Sequence, residues 1–210
     1  MAEALLPLFP LEVVLLPRTP LPLHIFEERY KEMIGLCLEE PSEFGVVLAR
    51  GNGVLRTGCA AAIGRVLNRH DDGRLDILAF GTDRFEIRSI DSRRSYFRAE
   101  VRYFDDDDLR PASKTAARQA DLMRREYALL GGEEPGEVDL DDPQASFLLA
   151  HVSPDLDFRQ MLLQMRSEAD RMERVAEHLA SLVERRKTKN AMGRVARLNG
   201  HGKHLPEPEA

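Results

Sequence analysis

Sulfur is scarce in this chain: Cys37 and Cys59 are its only two cysteines in 210 residues. Two thiols do not make a disulfide scaffold, and no third or fourth stands at zinc-ligand spacing. Cys37 falls on the apolar side of an expected helix and Cys59 in a run of small residues, so both read as buried thiols. Long apolar runs are also missing. The leucine-rich N-terminus is interrupted by Glu3, Glu12 and several prolines before it reaches the length of a membrane span, which leaves the cytoplasm as the expected compartment. Positive charge is not in excess either. A net charge of -6 argues against a nucleic-acid surface, because phosphate binding draws on clustered Lys and Arg. Catalytic signatures are missing too. No GxxxxGK[ST] loop occurs, since Gly202-Lys203 is followed by His204, and no HExxH is present.

What the chain does have is ordinary globular composition, with 43% hydrophobic and 31% charged residues. Its most informative stretch is LLPLFPLEVVLLPRTPLPLHIFEERY, residues 5 to 30, which holds five of the twelve prolines, at 7, 10, 17, 20 and 22. Proline removes a backbone donor and pushes its predecessor toward extended geometry, so this segment reads as strand and turn. The proline-free LEVVLL predicts the first buried strand, with PRTPLP as a rigid connector. In HIFEERYKEMIGLCLEE, residues Phe26, Tyr30, Met33, Ile34, Cys37 and Leu38 recur at helical spacing. Then EFGVVLARG predicts a strand ending in a turn at Gly51 and Gly53. A second strand lies around Ala60 to Leu67, a DDG hairpin turn follows, and LDILAF, RFEIRSI and YFRAEVRYF alternate as further strands.

The second half is helical by pattern. Ser113 is a plausible N-cap for a helix through Ala116, Ala120, Met123, Tyr127 and Leu130 that stops at Gly131-Gly132. EEPGEVDLDD, with six acids, reads as a solvated loop. Asp142-Pro143 opens a short helix, another is expected from Asp157 to about Met165, and Ser167 opens a long one. That helix carries a stripe of Met172, Val175, Ala176, Leu179, Leu182 and Val183. Beyond Glu184 the composition turns basic.

Several constellations invite chemistry and have plainer readings. His151, Ser153 and Asp155 lie within five residues, but SPD is the language of a helix start. His201 and His204 offer half a metal site at most, and His24, His70 and His178 are scattered through the sequence. Asp71 and Asp72 with Gly73 read as a turn, and the run Asp105 to Asp108 as solvated surface with no calcium-loop spacing. No catalytic residue, cofactor or metal is therefore expected.

The strings LPLFPLEVVLLPRTPLPLHIFEERYKEMI, FGVVLAR and DGRLDILAFGTDRFEI together resemble the N-terminal substrate-binding domain of Lon proteases, and more closely the standalone bacterial proteins consisting of that domain. The similarity runs over roughly residues 5 to 182. One departure is Arg18, where the family's LPG turn carries glycine. The resemblance implies an α+β fold: an N-terminal PUA-like β pseudo-barrel with one helix over residues 1–110, a helical bundle ending in a long helix over 111–188, and a basic, mobile tail over 189–210. It also implies an ATP-independent module that binds unfolded or exposed apolar polypeptide without cleaving it, alone or with a full-length protease, and with no membrane. The expected groove lies at the junction of the β domain with the helices. Peptide contact is assigned to Phe26, Arg29, Tyr30, Arg84 and Phe85. The plainer alternatives pair the two arginines with Glu27, Glu28, Asp83 or Glu86 and put the rings in the core. The competing function is RNA or modified-nucleotide binding through Arg65, Arg69, Arg74, Arg84, Arg88, Arg93, Arg94 and Arg98.

Overall fold

The computed structural model describes residues 5–199, with side chains described through Met192. The first half contains β1 (Leu6–Leu11), β2 (Pro20–Ile25), α1 (Glu28–Glu39), β3 (Phe44–Arg50), β4 (Gly53–Arg69), β5 (Leu75–Asp91) and β6 (Arg98–Phe104). The second contains α2 (Lys114–Leu130), α3 (Ala145–Ala150), α4 (Leu156–Gln164) and α5 (Glu168–Asn199). Of the expected tail, residues 189–199 continue α5, and 200–210 lie outside the described residues.

The sheet runs β2-β5-β4-β3-β1-β6, and β6 also pairs with β5. Five strands thus form a closed circuit of pairings, with β2 attached outside it. Closure is possible because β4 and β5 are each 17 residues long and are bent by register shifts at Cys59/Ala61, Ile63/Arg65 and Val66/Asn68. Extra residues in one strand increase local twist and turn the ladder. The first part of β5 pairs with β2, from Leu75 to Phe80, and its later part pairs with β6, from Arg84 onward. LDILAF and RFEIRSI are therefore one strand and not two.

The proline-rich start departs from expectation in an instructive way. β1 is LPLFPL, prolines included, whereas residues 12–16 of LEVVLL have no strand structure, although Val14, Leu15 and Leu16 are buried. Leu8 N donates to Phe97 O at 2.8 Å, so even-numbered residues of β1 face β6. Pro10 then faces β6 beyond the Leu6 and Pro7 pairs, and Pro7 faces β3 just before that ladder begins at Leu8. Each proline nitrogen points where no acceptor waits, so nothing is lost by its missing hydrogen. The connector PRTPLP likewise turns into β2. Arg18 holds the turn before it with φ +62, a left-handed value natural to glycine, and its guanidinium pairs with Asp142.

The helices follow their caps closely. The Ser113 hydroxyl accepts from Ala116 N, the Asp155 carboxylate from Phe158 N, and the Ser167 hydroxyl from Asp170 N, while α2 ends at Gly131. At Asp142-Pro143 the helix begins two residues later than expected, because Asp142 accepts from Gln144 N and α3 starts at Ala145. All six stripe residues of α5 are buried. One hydrophobic cluster runs from Phe9, Ile25, Met33, Phe44 and Ile77 through Ala120 and Phe147 to Leu162, Met172 and Leu179, so strands and helices share a core. A smaller one surrounds Phe85 with Leu6, Leu8, Val47, Ile87 and Ala99.

Candidate functional site

Three of the five residues assigned to peptide contact face inward. Tyr30 packs against Phe9 with ring centroids 4.1 Å apart, and Phe85 is fully buried in the smaller cluster. Arg84 is buried between the halves of the molecule. Its Nη1 donates to the carbonyls of Leu163 and Met165, its Nη2 donates to Asp106 at 2.7 Å, and its plane lies over Phe104 and Phe147. Asp106 is shared with Arg171, which is fully buried and donates to both carboxylate oxygens at 2.6 Å. Arg171 also reaches Glu168 and Ser146. Burial alone would raise the Asp106 pKa, but hydrogen bonds and charge from Arg171 and then Arg84 hold it below the ordinary carboxylate range. Burial raises that of Glu168 against the pull of Ser146 and Arg171. This network ties α5 to the sheet. It is built from the acidic run expected to be solvated, of which Asp106 and Asp108 turn inward.

The junction between strands and helices does contain a cleft of about 520 Å³, lined by Arg18, Asp106, Asp108, Leu109, Asp142 and Glu168 among others. Four of its six carboxylates are already engaged: Asp106 as above, Asp108 by Arg110 and Ser167, Asp142 by Arg18, and Glu168 by Ser146 and Arg171. Leu109, Pro111, Ala112, Ala117, Leu140 and Pro143 supply the larger, apolar part of its lining.

The remaining two residues are at the surface. Arg29 is half exposed, pairs with Glu27 at 2.8 Å and lies over the Tyr30 ring. Phe26 is 58% exposed and stacks beside His24. It marks one end of an uncovered strip on the outer face of β2, β5 and β4 that is apolar at Pro20, Pro22, Leu78 and Phe80 and interrupted by His24 and Asp76. In β5, Leu75, Ile77 and Ala79 point inward, which turns Asp76, Leu78 and Phe80 out. Pro20 pairs across from Phe80, Pro22 from Leu78 and His24 from Asp76, so each pair shares that outer face. Phe80 is 39% exposed, and its ring lies over Gly64, where an added Cβ would sit 2.6 Å from Cε2. The missing side chain of Gly64 makes the recess that the ring occupies.

The open edge of β2 is blunted. Gly81 N donates to Thr19 O, which sets the phase in which odd residues face β5. Pro20, Pro22 and His24 consequently present their main chain to the open side, and only His24 has an N–H to offer there. A peptide strand could not complete a ladder on that edge, so recognition here must run through side chains packed on the face. The strip is about 20 Å long, from six residues at about 3.3 Å each, and matches a short extended segment.

Elsewhere, Ser153 Oγ lies 2.8 Å from His178 Nε2, a pairing invisible in the local sequence. Ser153 is buried, and Asp155 caps α4, while His151 contacts Arg159. The pair acts as an internal tie between the α3–α4 loop and α5, whose His178 stacks on Phe158 at 3.6 Å. Cys37 and Cys59 are free and buried, and burial raises both thiol pKa values. Of the arginines assigned to RNA, Arg74, Arg84, Arg93 and Arg98 are held by carboxylates, and Arg94 hydrogen-bonds Tyr96. No helix of the described residues is long and apolar enough to cross a membrane.

Residues 5–181 match the family model described as the ATP-dependent protease La (LON) substrate-binding domain. Among solved structures, the chain is similar to a Lon N-terminal domain protein from Xanthomonas campestris, at 28% identity and a TM-score of 0.67, covering 82% of this chain and 96% of that one. The N-terminal domain of the Mycobacterium avium complex Lon protease shares the fold at 13% identity and a TM-score of 0.61, with 84% and 98% covered.

Proposed function

Because the chain belongs to the Lon substrate-binding domain family, we propose that it is a polypeptide-binding module that takes up extended, apolar segments on the outer face of β2, β5 and β4 without cleaving them. The observation that carries this reading is the uncovered strip of Pro20, Pro22, Leu78 and Phe80 ending at Phe26, on a domain whose family is described as substrate-binding. Burying a phenylalanine ring fully contributes about 1.5–3 kcal/mol, and Phe26 and Phe80 are already partly covered, so the two rings supply a minor share of the about 8 kcal/mol of a micromolar complex and the strip as a whole captures weakly. The five-strand circuit with α1 serves as a PUA-like pseudo-barrel over residues up to 110, and α2 to α5 as a helical bundle braced against it. ATP plays no part in the binding step, and the cytoplasm is the working compartment. Partners are unfolded polypeptides and a protease to which they are passed.

Fluorescence polarisation with a labelled unfolded polypeptide and a labelled single-stranded RNA, each at low and moderate salt, tests this. Saturable polypeptide binding that survives salt is expected. Binding of RNA alone, lost as salt rises, would move the function to the arginine-bearing strands.

A further inference from the structure

We infer that the chain carries a binding site for a divalent transition metal of the zinc class, built by His24, His70 and Asp76. His24 is the penultimate residue of β2, His70 opens the turn between β4 and β5, and Asp76 is the second residue of β5; the two histidines are 46 positions apart in sequence. The register His24↔Asp76 and the hairpin turn bring them together. One ligand atom from each lies within 4.8 Å of the others. His24 Nδ1 donates to Asp76 Oδ1 at 2.5 Å and His70 Nε2 donates to Oδ2 at 2.8 Å, so one carboxylate is clasped by two imidazoles from different elements. With metal–ligand bonds near 2.0–2.2 Å, three such atoms need only modest rotation to close on one ion.

The donor set names the metal class. Two imidazoles and one carboxylate suit Zn²⁺ or Co²⁺, whereas Mg²⁺ and Ca²⁺ prefer oxygen alone and cuprous ions prefer sulfur. Three protein ligands leave a fourth position for water or an incoming side chain. The supports are backbone: His70 N donates to Arg74 O at 2.9 Å and Gly73 N donates to His70 O at 2.9 Å, which fixes the turn that carries the imidazole. An ion here would bind β2, attached to the sheet along one side only, to the β4–β5 hairpin. This inference does not depend on the polypeptide reading.

The test is Co²⁺ titration of the untagged full chain, followed by its visible bands, with Zn²⁺ competition and thermal unfolding as second readouts. One Co²⁺ per chain with tetrahedral bands is expected, together with a rise in Tm on Zn²⁺ addition. Asp76→Asn should weaken binding at least ten-fold, and His24→Ala/His70→Ala should abolish it while circular dichroism stays unchanged. His201→Ala/His204→Ala, which removes the competing imidazoles beyond the described residues, should bind as the unsubstituted chain does. No visible band, binding that persists without His24 and His70, or binding lost with His201 and His204 would each overturn the site.

Discussion

Asp106 is a carboxylate shared by the two halves of the molecule. Two buried guanidiniums, Arg84 and Arg171, converge on it. Removing one partner of a buried ion pair leaves the other charge unmatched, at about 3 kcal/mol or more. Asp106→Asn should therefore destabilise the fold by about 3 kcal/mol, read from urea unfolding at neutral pH. Its pKa is depressed in the folded state, so its contribution is present above the unfolded value near 4 and is lost as pH falls through the folded one. Glu168, whose pKa burial raises, works in the opposite direction. The unsubstituted protein should lose stability below about pH 4, and Asp106→Asn should flatten that acid limb. An equally steep limb in the variant would place the acid sensitivity elsewhere. Sequence reading reached Arg84 as a notable residue but looked to Asp83 and Glu86 for its partner. Asp83 faces the other side of the strand, Glu86 on Arg84's own face is held by Arg102 and Arg166, and the true partner arrives from a loop 22 residues on.

At the level of elements, β5 is the strand with which β2, β4 and β6 all pair. Gly81 sits where it passes the buried 14–16 segment, and a Cβ there would lie 2.2 Å from Leu16 O. That contact is with backbone and cannot swing away, so Gly81→Ala should cost about 1–3 kcal/mol and lower Tm. Gly64 makes a contrast, because its nearest would-be contacts are with one edge of the surface Phe80 ring, at Cε2 and Cδ2, and the Leu78 carbonyl lies further off at 3.3 Å. Gly64→Ala should displace the ring, leaving stability nearly unchanged while weakening polypeptide binding several-fold, which unfolding and polarisation measured on one preparation would separate. Helix starts at Ser113, Asp155 and Ser167 were legible because a cap is a local hydrogen bond. The proline strands were not, since whether a missing N–H matters depends on which side of each strand is paired. The outer strip was equally hidden: its members come from residues 20–26, 64 and 78–80, joined only by register.

The whole molecule behaves as one core with two kinds of cover. Phe147 of α3 touches both Arg84 of β5 and Arg171 of α5, and Gln160 of α4 donates to the Thr57 carbonyl of β4 at 3.0 Å. Strands and helices joined through shared apolar and ionic contacts should unfold together. A single calorimetric transition with matching calorimetric and van't Hoff enthalpies is expected, and two resolved transitions would separate the halves. The resemblance to Lon N-terminal domains was readable from short strings near the N-terminus. Its binding face was not, because three of the five residues singled out there are spent on packing, and only Phe26 of the rings reaches solvent.

If the outer strip takes up apolar polypeptide, affinity for one labelled unfolded chain must depend on the two exposed rings, Phe26 and Phe80. Phe26→Ser/Phe80→Ser should retain the fold, since both rings are exposed, and should weaken binding ten-fold or more at moderate salt, each ring contributing about 1.5 kcal/mol or more. Unchanged affinity in a folded variant would contradict the assignment of the strip as the binding face.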